Sequence, residues 1–427
     1  MTDAIDRRLM LMGGAVAGLA MGGKAVAQRL PPPSAVDTGQ VEGGRVTFPE
    51  WRGEVDPRTA PPPAPLSPER RVGFAVVALG RLTLEELLPA FAECRKAKLV
   101  ALVSGTPDKM RAVAAQYGIA PEHCYDYAGF DRIRDDPAVQ AVYIVLPNGM
   151  HRDYVERAAR AGKHVLCEKP MATSAKDARA MVAACDKAGV KLMIAYRIQY
   201  EPYNQRARRF VQEGTFGRLV AASMTNTQTV APDGAKQWRH KRAQSGGGSL
   251  PDIGLYCINT ARFLTAQEPV EVVAHQYSPP GDPRYAEVEE TVAFTLCFPG
   301  ETYVQCLTSY GARDNKAQTL NFARATLEMP KAYQYRGQQM YIAQNQGELD
   351  ERQQVNIPPK NQFAEEIDHM ADCILADRKP RTPGEEGVQD HVVMEAIYES
   401  ARTGKPVKLA AVSGKDAFRG PMPPADA

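Results

Sequence analysis

The chain has 427 residues, 44% hydrophobic and 24% charged, with 52 Lys and Arg against 50 Asp and Glu for a formal net charge of +2. That is a globular composition with material for two or three domains, which excludes a disordered or collagen-like chain, and the even charge argues against a nucleic-acid partner. Eight cysteines without a C-x-x-C pair and seven histidines without H-E-x-x-H argue against a metal site or a disulfide scaffold.

At the start of the chain, Arg7-Arg8 precede an apolar, glycine-rich run at residues 9–23 and an A-x-A site at Ala25-Val26-Ala27. Residues 1–27 read as a twin-arginine signal peptide, too short for a membrane span. The mature protein is therefore expected in the periplasm, exported folded and without a membrane segment. A helical tail with fortuitous arginines is the alternative. Residues 28–70 carry Pro31-Pro32-Pro33, Pro61-Pro62-Pro63, Pro65 and Pro68. They read as an extended arm, either a linker or a strap across its own or a neighbouring subunit.

From residue 71 the pattern changes to apolar runs separated by helical periodicity. Strands are expected at 72–79, 99–103, 139–146, 164–167 and 191–195. Helices are expected at 84–92, with a kink at Pro89, and at 108–117, 153–161 and 175–188. This alternation describes a doubly wound parallel sheet, a Rossmann domain over 71–195, with its ligand crevice at the strand carboxyl ends. The first strand–helix turn reads Ala78-Leu79-Gly80-Arg81-Leu82-Thr83 and matches G-x-G-x-x-G/A only at Gly80. Gly80 lets the backbone approach a pyrophosphate, and Leu79, Arg81 and Leu82 flank it. Ala78 is expected to hold a tight turn only if its φ is negative. The second strand ends Val103-Ser104-Gly105-Thr106-Pro107-Asp108-Lys109. Without a carboxylate at the strand end, the Ser104 and Thr106 hydroxyls, Lys109 and Arg81 suit the 2′-phosphate of NADP. Ordinary helix caps are the alternative.

Leu146-Pro147-Asn148, at the end of the next strand, would border the nicotinamide. The triplet His151-Arg152-Asp153 matches the kinase H-R-D only by coincidence, because no glycine-rich loop or D-F-G accompanies it. Cys167-Glu168-Lys169-Pro170 places an ammonium at the crevice rim, able to polarise a sugar hydroxyl. Tyr196-Arg197 and Trp238-Arg239 would line a pocket or form surface cation–π pairs. In the block Gly246-Gly247-Gly248-Ser249-Leu250-Pro251-Asp252-Ile253-Gly254-Leu255-Tyr256, the glycines permit close approach to a ligand. Asp252 and Tyr256 share a face if the segment is helical, with Tyr256 as acid/base and Asp252 orienting its ring. The bland alternative is a glycine-rich loop capping a helix through Ser249 or Asp252.

Together with Gln237-Trp238-Arg239 and Pro383-Gly384-Glu385-Glu386-Gly387, these blocks resemble the bacterial glucose–fructose oxidoreductases. Those enzymes belong to the wider glucose–fructose oxidoreductase, inositol dehydrogenase and rhizopine catabolism superfamily, and the likeness runs over about residues 70–409. It implies Lys169 as the active-site lysine, Tyr256 as acid/base and Asp252 as its partner, with Ser104 and Lys109 gripping the 2′-phosphate. Tyr127, Leu146, Pro147, Asn148, His151, Glu168, Arg197, Trp238 and Arg239 join Leu79, Gly80, Arg81 and Leu82 in the expected cofactor set. The outer members of the family's Gly-x-Gly-x-x-Ala turn are replaced here by Ala78 and Thr83. The resemblance further implies a C-terminal α+β domain over 196–409 with an open, mostly antiparallel sheet whose exposed face builds a homodimer or homotetramer. Strands are expected there at 291–298 and 302–308. A helix at 363–376 would pack back on the first domain, and a tail would follow at 410–427. The expected activity is oxidation of an aldose to its lactone and reduction of a second sugar to an alditol, by ping-pong exchange on tightly bound NADP(H). The alternatives are a sugar or polyol dehydrogenase with exchangeable NAD(P) and a non-catalytic NADP-binding sensor.

Overall fold

Residues 40–42, 45–47, 64–230 and 233–423 are described by the computed structural model. The signal peptide expected at 1–27 lies outside these residues, as does most of the expected arm. Within the arm, β1 (Gln40–Glu42) pairs antiparallel with β2 (Arg45–Thr47), where only extended chain was expected. The end of the arm attaches to the main body: Leu66 N donates to Arg95 O at 2.9 Å, and Lys98 Nζ donates to Pro68 O at 2.8 Å.

The apolar runs become a parallel sheet of β3 (Val72–Val77), β4 (Ala97–Val103), β5 (Cys124–Tyr125), β6 (Ala141–Ile144), β7 (His164–Glu168) and β8 (Leu192–Ala195). Its order is β5-β4-β3-β6-β7-β8. This is the doubly wound arrangement, whose order reverses between β3 and β6 and leaves a crevice at the carboxyl ends. β3, β6 and β8 are buried along their whole length, which is why they carry no polar alternation. β5, at two residues, is too short to give a periodic signal. The helix Ala175–Ala188 has the expected bounds. The helix Asn148–Arg160 starts earlier than its apolar pattern, directly after Pro147. Pro89 is accommodated without a break, because Thr83–Leu87 forms a wider helical turn that runs on into Leu88–Glu93.

The second layer is a nine-stranded sheet whose strands lie in the order β16 (Leu349–Val355), β15 (Met340–Gln346), β14 (Thr326–Met329), β13 (Asn315–Phe322), β9 (Leu219–Thr227), β12 (Thr302–Ser309), β11 (Thr291–Phe298), β10 (Glu271–Tyr277) and β17 (Val407–Lys408). Its central strands are β9 (Leu219–Thr227), β11 (Thr291–Phe298), β12 (Thr302–Ser309) and β13 (Asn315–Phe322). All pairings are antiparallel except β9 with β12. On β11 and β12 alternate residues are buried, so one face packs on helices while Val273, Tyr303 and Leu307 stand exposed on the other.

Two C-terminal helices tie this sheet to the first. Gln362–Leu375 packs back on the Rossmann sheet, and its Asp368 carboxylate accepts from the backbone N–H groups of Arg95, Lys96 and Ala97 at 2.7, 2.8 and 3.0 Å. Gly384–Thr403 lies against the helix Ala175–Ala188 and β10 (Glu271–Tyr277). The described residues from 64 onward form one compact unit. The described part of the tail is not loose. Asp416 pairs with Arg208 at 2.6 Å and with Arg381 at 3.0 Å, and Arg419 pairs with Glu386 at 2.9 Å in a buried ionic cluster around Arg262.

Candidate active site

A cleft of about 860 Å³ opens between the carboxyl ends of the parallel sheet and the helix-covered side of the second sheet. From the first domain it is lined by Gly80, Arg81, Leu82, Leu146, Pro147, Asn148, Glu168 and Lys169, and from the second by Arg197, Trp238, Arg239, Asp252 and Tyr256. Thirteen of the expected site residues therefore share one cavity.

Lys169 follows β7 and reaches across the cleft. Its Nζ donates to Asp252 O at 2.7 Å and to Asp252 Oδ1 at 3.3 Å, and stands 4.8 Å from the centre of the Tyr256 ring. Asp252 lies in a widened turn, Leu250–Gly254, that runs directly into the helix Leu255–Thr265 bearing Tyr256. Its second oxygen accepts from Tyr310 OH at 2.7 Å and faces Arg239 Nε at 3.4 Å. Burial alone would raise the Asp252 carboxyl, but the charges of Lys169 and Arg239 and the Tyr310 hydrogen bond hold it well below the usual carboxylate range. For Lys169, burial favours the neutral amine. The neighbouring Tyr256, Asp252 and Glu168 outweigh it, so the ammonium titrates above its ordinary value.

Asp252 does not hold the Tyr256 ring, contrary to the expected division of roles. Arg197 does: its Nε donates to the Tyr256 hydroxyl at 3.2 Å, with its guanidinium stacked 4.8 Å over that ring and 4.5 Å over Tyr335. Arg197 is anchored in turn by Gln362 Oε1 at 2.6 Å and Tyr333 O at 2.7 Å. It is buried in this role and still borders the cleft.

The glycine block also works differently from expectation. A Cβ on Gly247 would run into the Tyr398 hydroxyl and one on Gly248 into the Glu289 carbonyl, so the close approach is to protein and not to a ligand. The Glu289 carboxylate accepts from Gly248 N at 2.9 Å and from Leu250 N at 3.0 Å, fixing the turn that presents Asp252. Neither Ser249 nor Asp252 caps the helix through its side chain.

Five expected cofactor residues lie off the cleft lining. Leu79 turns its side chain into the core. Ser104 is buried, its Oγ accepting from Thr106 N at 3.3 Å, and Lys109 is an exposed residue of the helix Pro107–Tyr117. Tyr127 packs its ring against Gly105 and edge-on to Tyr154. His151 is wholly buried, with Nε2 2.7 Å from Leu146 O and Nδ1 3.1 and 3.2 Å from Pro170 O and Met171 O. Its ring clamps together the two strand-end loops that flank the cleft. The Ala78 expectation is also overturned: its φ is +79°, the left-handed region. Thr83 Oγ1 donates to Ala78 O at 2.8 Å, so the two departures from the glycine pattern are bonded to each other.

Sequence reasoning missed the far wall. Asn226, Gln228, Lys316 and the segment Tyr333-Gln334-Tyr335-Arg336 line the cleft. Asn226 is 2% exposed, and its Nδ2 donates to Ile253 O at 2.9 Å while its Oδ1 has no partner among the described residues. A polar residue on an otherwise apolar strand face was the one available signal for it.

The residues fit a nicotinamide dinucleotide. A Cβ on Gly80 would meet open space, so the backbone is approachable there, and six cationic side chains against three anionic ones line the cleft. At the end of β4, Ser104 stands where an NAD site would carry an acidic residue.

Comparison with known proteins agrees with this geometry. Residues 72–196 match the model of the oxidoreductase family with an NAD-binding Rossmann fold, and residues 204–328 match the GFO/IDH/MocA C-terminal domain. The chain is 34% identical over 342 residues to a D-xylose 1-dehydrogenase [NADP(+)] of Haloarcula marismortui, covering 79% of this chain and 93% of that protein. It is 28% identical over 318 residues to a 1,5-anhydro-D-fructose reductase of Ensifer adhaerens, covering 73% of this chain and 91% of that protein. Among solved structures, aldose–aldose oxidoreductase from Caulobacter crescentus, complexed with glycerol, is 43% identical with a TM-score of 0.76, over 80% of this chain and 100% of that one. With both domains matched and the lysine, aspartate and tyrosine gathered in one cleft, the chain belongs to the GFO/IDH/MocA family of oxidoreductases.

Proposed function

We propose that this protein is an exported aldose oxidoreductase that keeps NADP(H) bound, oxidising one sugar to a lactone and reducing a second to an alditol in the same cleft. The observation that carries the reading is the placement of Lys169 Nζ on Asp252 and over the Tyr256 ring, inside a cleft that suits a dinucleotide. The bound nucleotide would supply hydride storage between the two half-reactions. Gly80 and the cationic lining would hold it, with Ser104 and Lys109 toward its 2′-phosphate end.

The side chains supply the proton chemistry. An ammonium has three donors, and Asp252 takes two from Lys169, leaving one for the oxygen of a reacting carbinol or carbonyl. The Tyr256 oxygen accepts from Arg197 Nε, so its own hydroxyl is available to the sugar. As the phenolate, Tyr256 takes the sugar proton in the oxidative direction and becomes the phenol, which returns that proton in the reductive direction. Asn226 Oδ1, without a partner among the described residues, is an acceptor for a further sugar hydroxyl.

The relative with 43% identity, named an aldose–aldose oxidoreductase, supports the two-sugar reading, and the Arg7-Arg8 pair with the apolar run after it supports export. An exported enzyme has no obvious soluble nucleotide pool, which favours a cofactor that never leaves. The exposed Val273, Tyr303 and Leu307 on one sheet face support a homodimer or homotetramer. The D-xylose dehydrogenase relative favours a second reading, in which the nucleotide exchanges each cycle. Protein purified without added nucleotide decides between them. Mass spectrometry of the denatured sample is expected to find near-stoichiometric NADP(H), and the protein to convert a mixture of aldoses unaided. An empty protein that needs nucleotide in the assay would establish the exchanging dehydrogenase instead.

A further inference from the structure

Two carboxylates meet beneath the cleft wall. Glu168, at the end of β7, lines the cleft and is 8% exposed, whereas Glu366, on the helix Gln362–Leu375, is fully buried at 0%. Tyr143 of β6, itself fully buried, stands between them with its hydroxyl 2.9 Å from Glu168 Oε1 and 3.4 Å from Glu366 Oε1. Glu168 Oε2 accepts from Lys169 N at 3.2 Å, while Glu366 Oε2 has no partner among the described residues.

A phenol has one hydrogen. Donated to the nearer Glu168, it leaves the Tyr143 and Glu366 oxygens facing each other with nothing between them unless Glu366 carries a proton. The groups facing the pair are Tyr143, the ammonium of Lys169, the guanidinium of Arg197, and the phenols of Tyr200 and Tyr335. Arg197 is engaged with Tyr256, Gln362 and Tyr333, and no cation is bonded to Glu366 among the described residues. Two ionised carboxylates side by side, one of them wholly buried with no cation bonded to it, are the costliest arrangement, so the pair shares one proton. Burial and the neighbouring Glu168 accordingly push the Glu366 carboxyl well above its ordinary range.

We propose that Glu366, Tyr143 and Glu168 form a proton chain, with Glu366 a neutral acid and Glu168 ionised when the cleft wall faces a positive charge, and with the proton passed to Glu168 when that charge is lost. This rests on the reading that a nicotinamide nucleotide occupies the cleft, since its ring is cationic only when oxidised. In the transfer the Glu366 O–H breaks as a bond forms to the Tyr143 oxygen, and the Tyr143 O–H breaks as a bond forms to Glu168 Oε1. The negative charge moves from Glu168 to Glu366, with no electron exchanged and no net proton taken up. Glu168 then presents a neutral acid instead of an anion to the cleft in the reductive half of the cycle.

Infrared spectroscopy tests the two parts separately. At neutral pH the protein should show a carboxylic-acid carbonyl band that shifts in D₂O and vanishes in Glu366→Gln. The amide has the same shape and neutrality, so that variant should fold with unchanged circular dichroism. A band that survives the substitution, or no such band in the wild type, overturns the neutral acid. In the oxidised-minus-reduced difference spectrum of the loaded protein, the Glu366 band should be exchanged for one that is lost in Glu168→Gln, and a flat difference spectrum overturns the transfer. Nucleotide content, measured by absorbance on the same samples, keeps a failure of the cofactor reading distinct. For turnover, Glu366→Gln should alter the pH profile of kcat and leave KM unchanged. A glutamine with the wild-type profile would reduce Glu366 to packing.

Discussion

The two strand-end loops that frame the cleft are built on opposite principles. The turn after β3 is closed by its own residues: Ala78 sits at φ +79°, and the Thr83 hydroxyl five positions on satisfies its carbonyl. The loop after β7 is closed by distant ones. His151 faces the carbonyls of Pro170 and Met171, His391 Nε2 accepts from Ala172 N at 3.0 Å, and Asp252 holds the Lys169 ammonium. A phosphate-binding turn needs only an approachable backbone, and a strained local solution serves. A reacting ammonium must be fixed against the opposite domain, and that takes groups from three other segments of the chain.

This contrast predicts where substitutions hurt most. Lys169→Ala should cost about 3–4 kcal/mol of transition-state stabilisation, on the order of a thousandfold in kcat. Nucleotide content should change far less if, as proposed, the turn after β3 holds the phosphates. Steady-state kinetics beside absorbance of the purified protein check both, and a small loss of kcat would remove Lys169 from the chemistry. Next in size is a pH effect from the buried histidines. Burial lowers His391 to about 4, reinforced by His151. Burial and the charges of Arg378 and Arg381 lower His369 to about 4. Unfolded histidines bind protons near pH 6.5, so the folded state binds fewer below that pH. The stability from these groups is complete above about pH 6.5 and is lost as pH falls through about 4, by on the order of 3 kcal/mol each. Urea unfolding between pH 7.5 and 4.5 should show this slope, and His391→Gln, which keeps an acceptor for Ala172 N, should flatten it. An unchanged slope would place the acid sensitivity elsewhere.

The same contrast explains what could be read from the chain. The parallel sheet was legible because strands buried on both faces leave continuous apolar runs, and the helix Ala175–Ala188 because Ser174 caps it and Gly189 closes it. Lys169, Asp252 and Tyr256 were legible as short blocks of characteristic residues. Their partners were not, since Arg197 reaches Tyr256 across 59 positions and Tyr143 reaches Glu366 across 223. No local pattern records such pairs. The glycines at 247 and 248 misled for a related reason: a glycine announces a close neighbour without saying whether it is ligand or protein, and here it is Tyr398 and Glu289. His151 misled similarly, because a histidine beside an expected nicotinamide edge reads as a contact until its ring is seen facing three carbonyls.

On the cofactor side the expected effects are smaller and more specific. Ser104→Asp retains an acceptor for Thr106 N while placing a carboxylate at the end of β4. It should move the NADP-to-NAD preference toward NAD at least tenfold, about 1.4 kcal/mol, in competition binding. Equal preference before and after would detach Ser104 from the 2′-phosphate.

The smallest effect is the most direct test of a locally closed turn. A left-handed alanine costs about 1–2 kcal/mol, and glycine recovers this less about 0.5–1 kcal/mol of extra unfolded-chain entropy. Ala78→Gly should therefore stabilise the protein by roughly 0.5–1 kcal/mol in urea unfolding. Thr83→Ala deletes the 2.8 Å bond to Ala78 O at a wholly buried position and should destabilise by about 1 kcal/mol. If the hydroxyl serves to hold the alanine in its unfavourable conformation, the two changes are not independent. With glycine at 78 the turn keeps its shape unaided, and removing the hydroxyl then costs less. The double-mutant cycle should thus show a coupling of about 0.5 kcal/mol or more, and strict additivity would mean that Thr83 only satisfies a carbonyl and the strain is borne by the sheet.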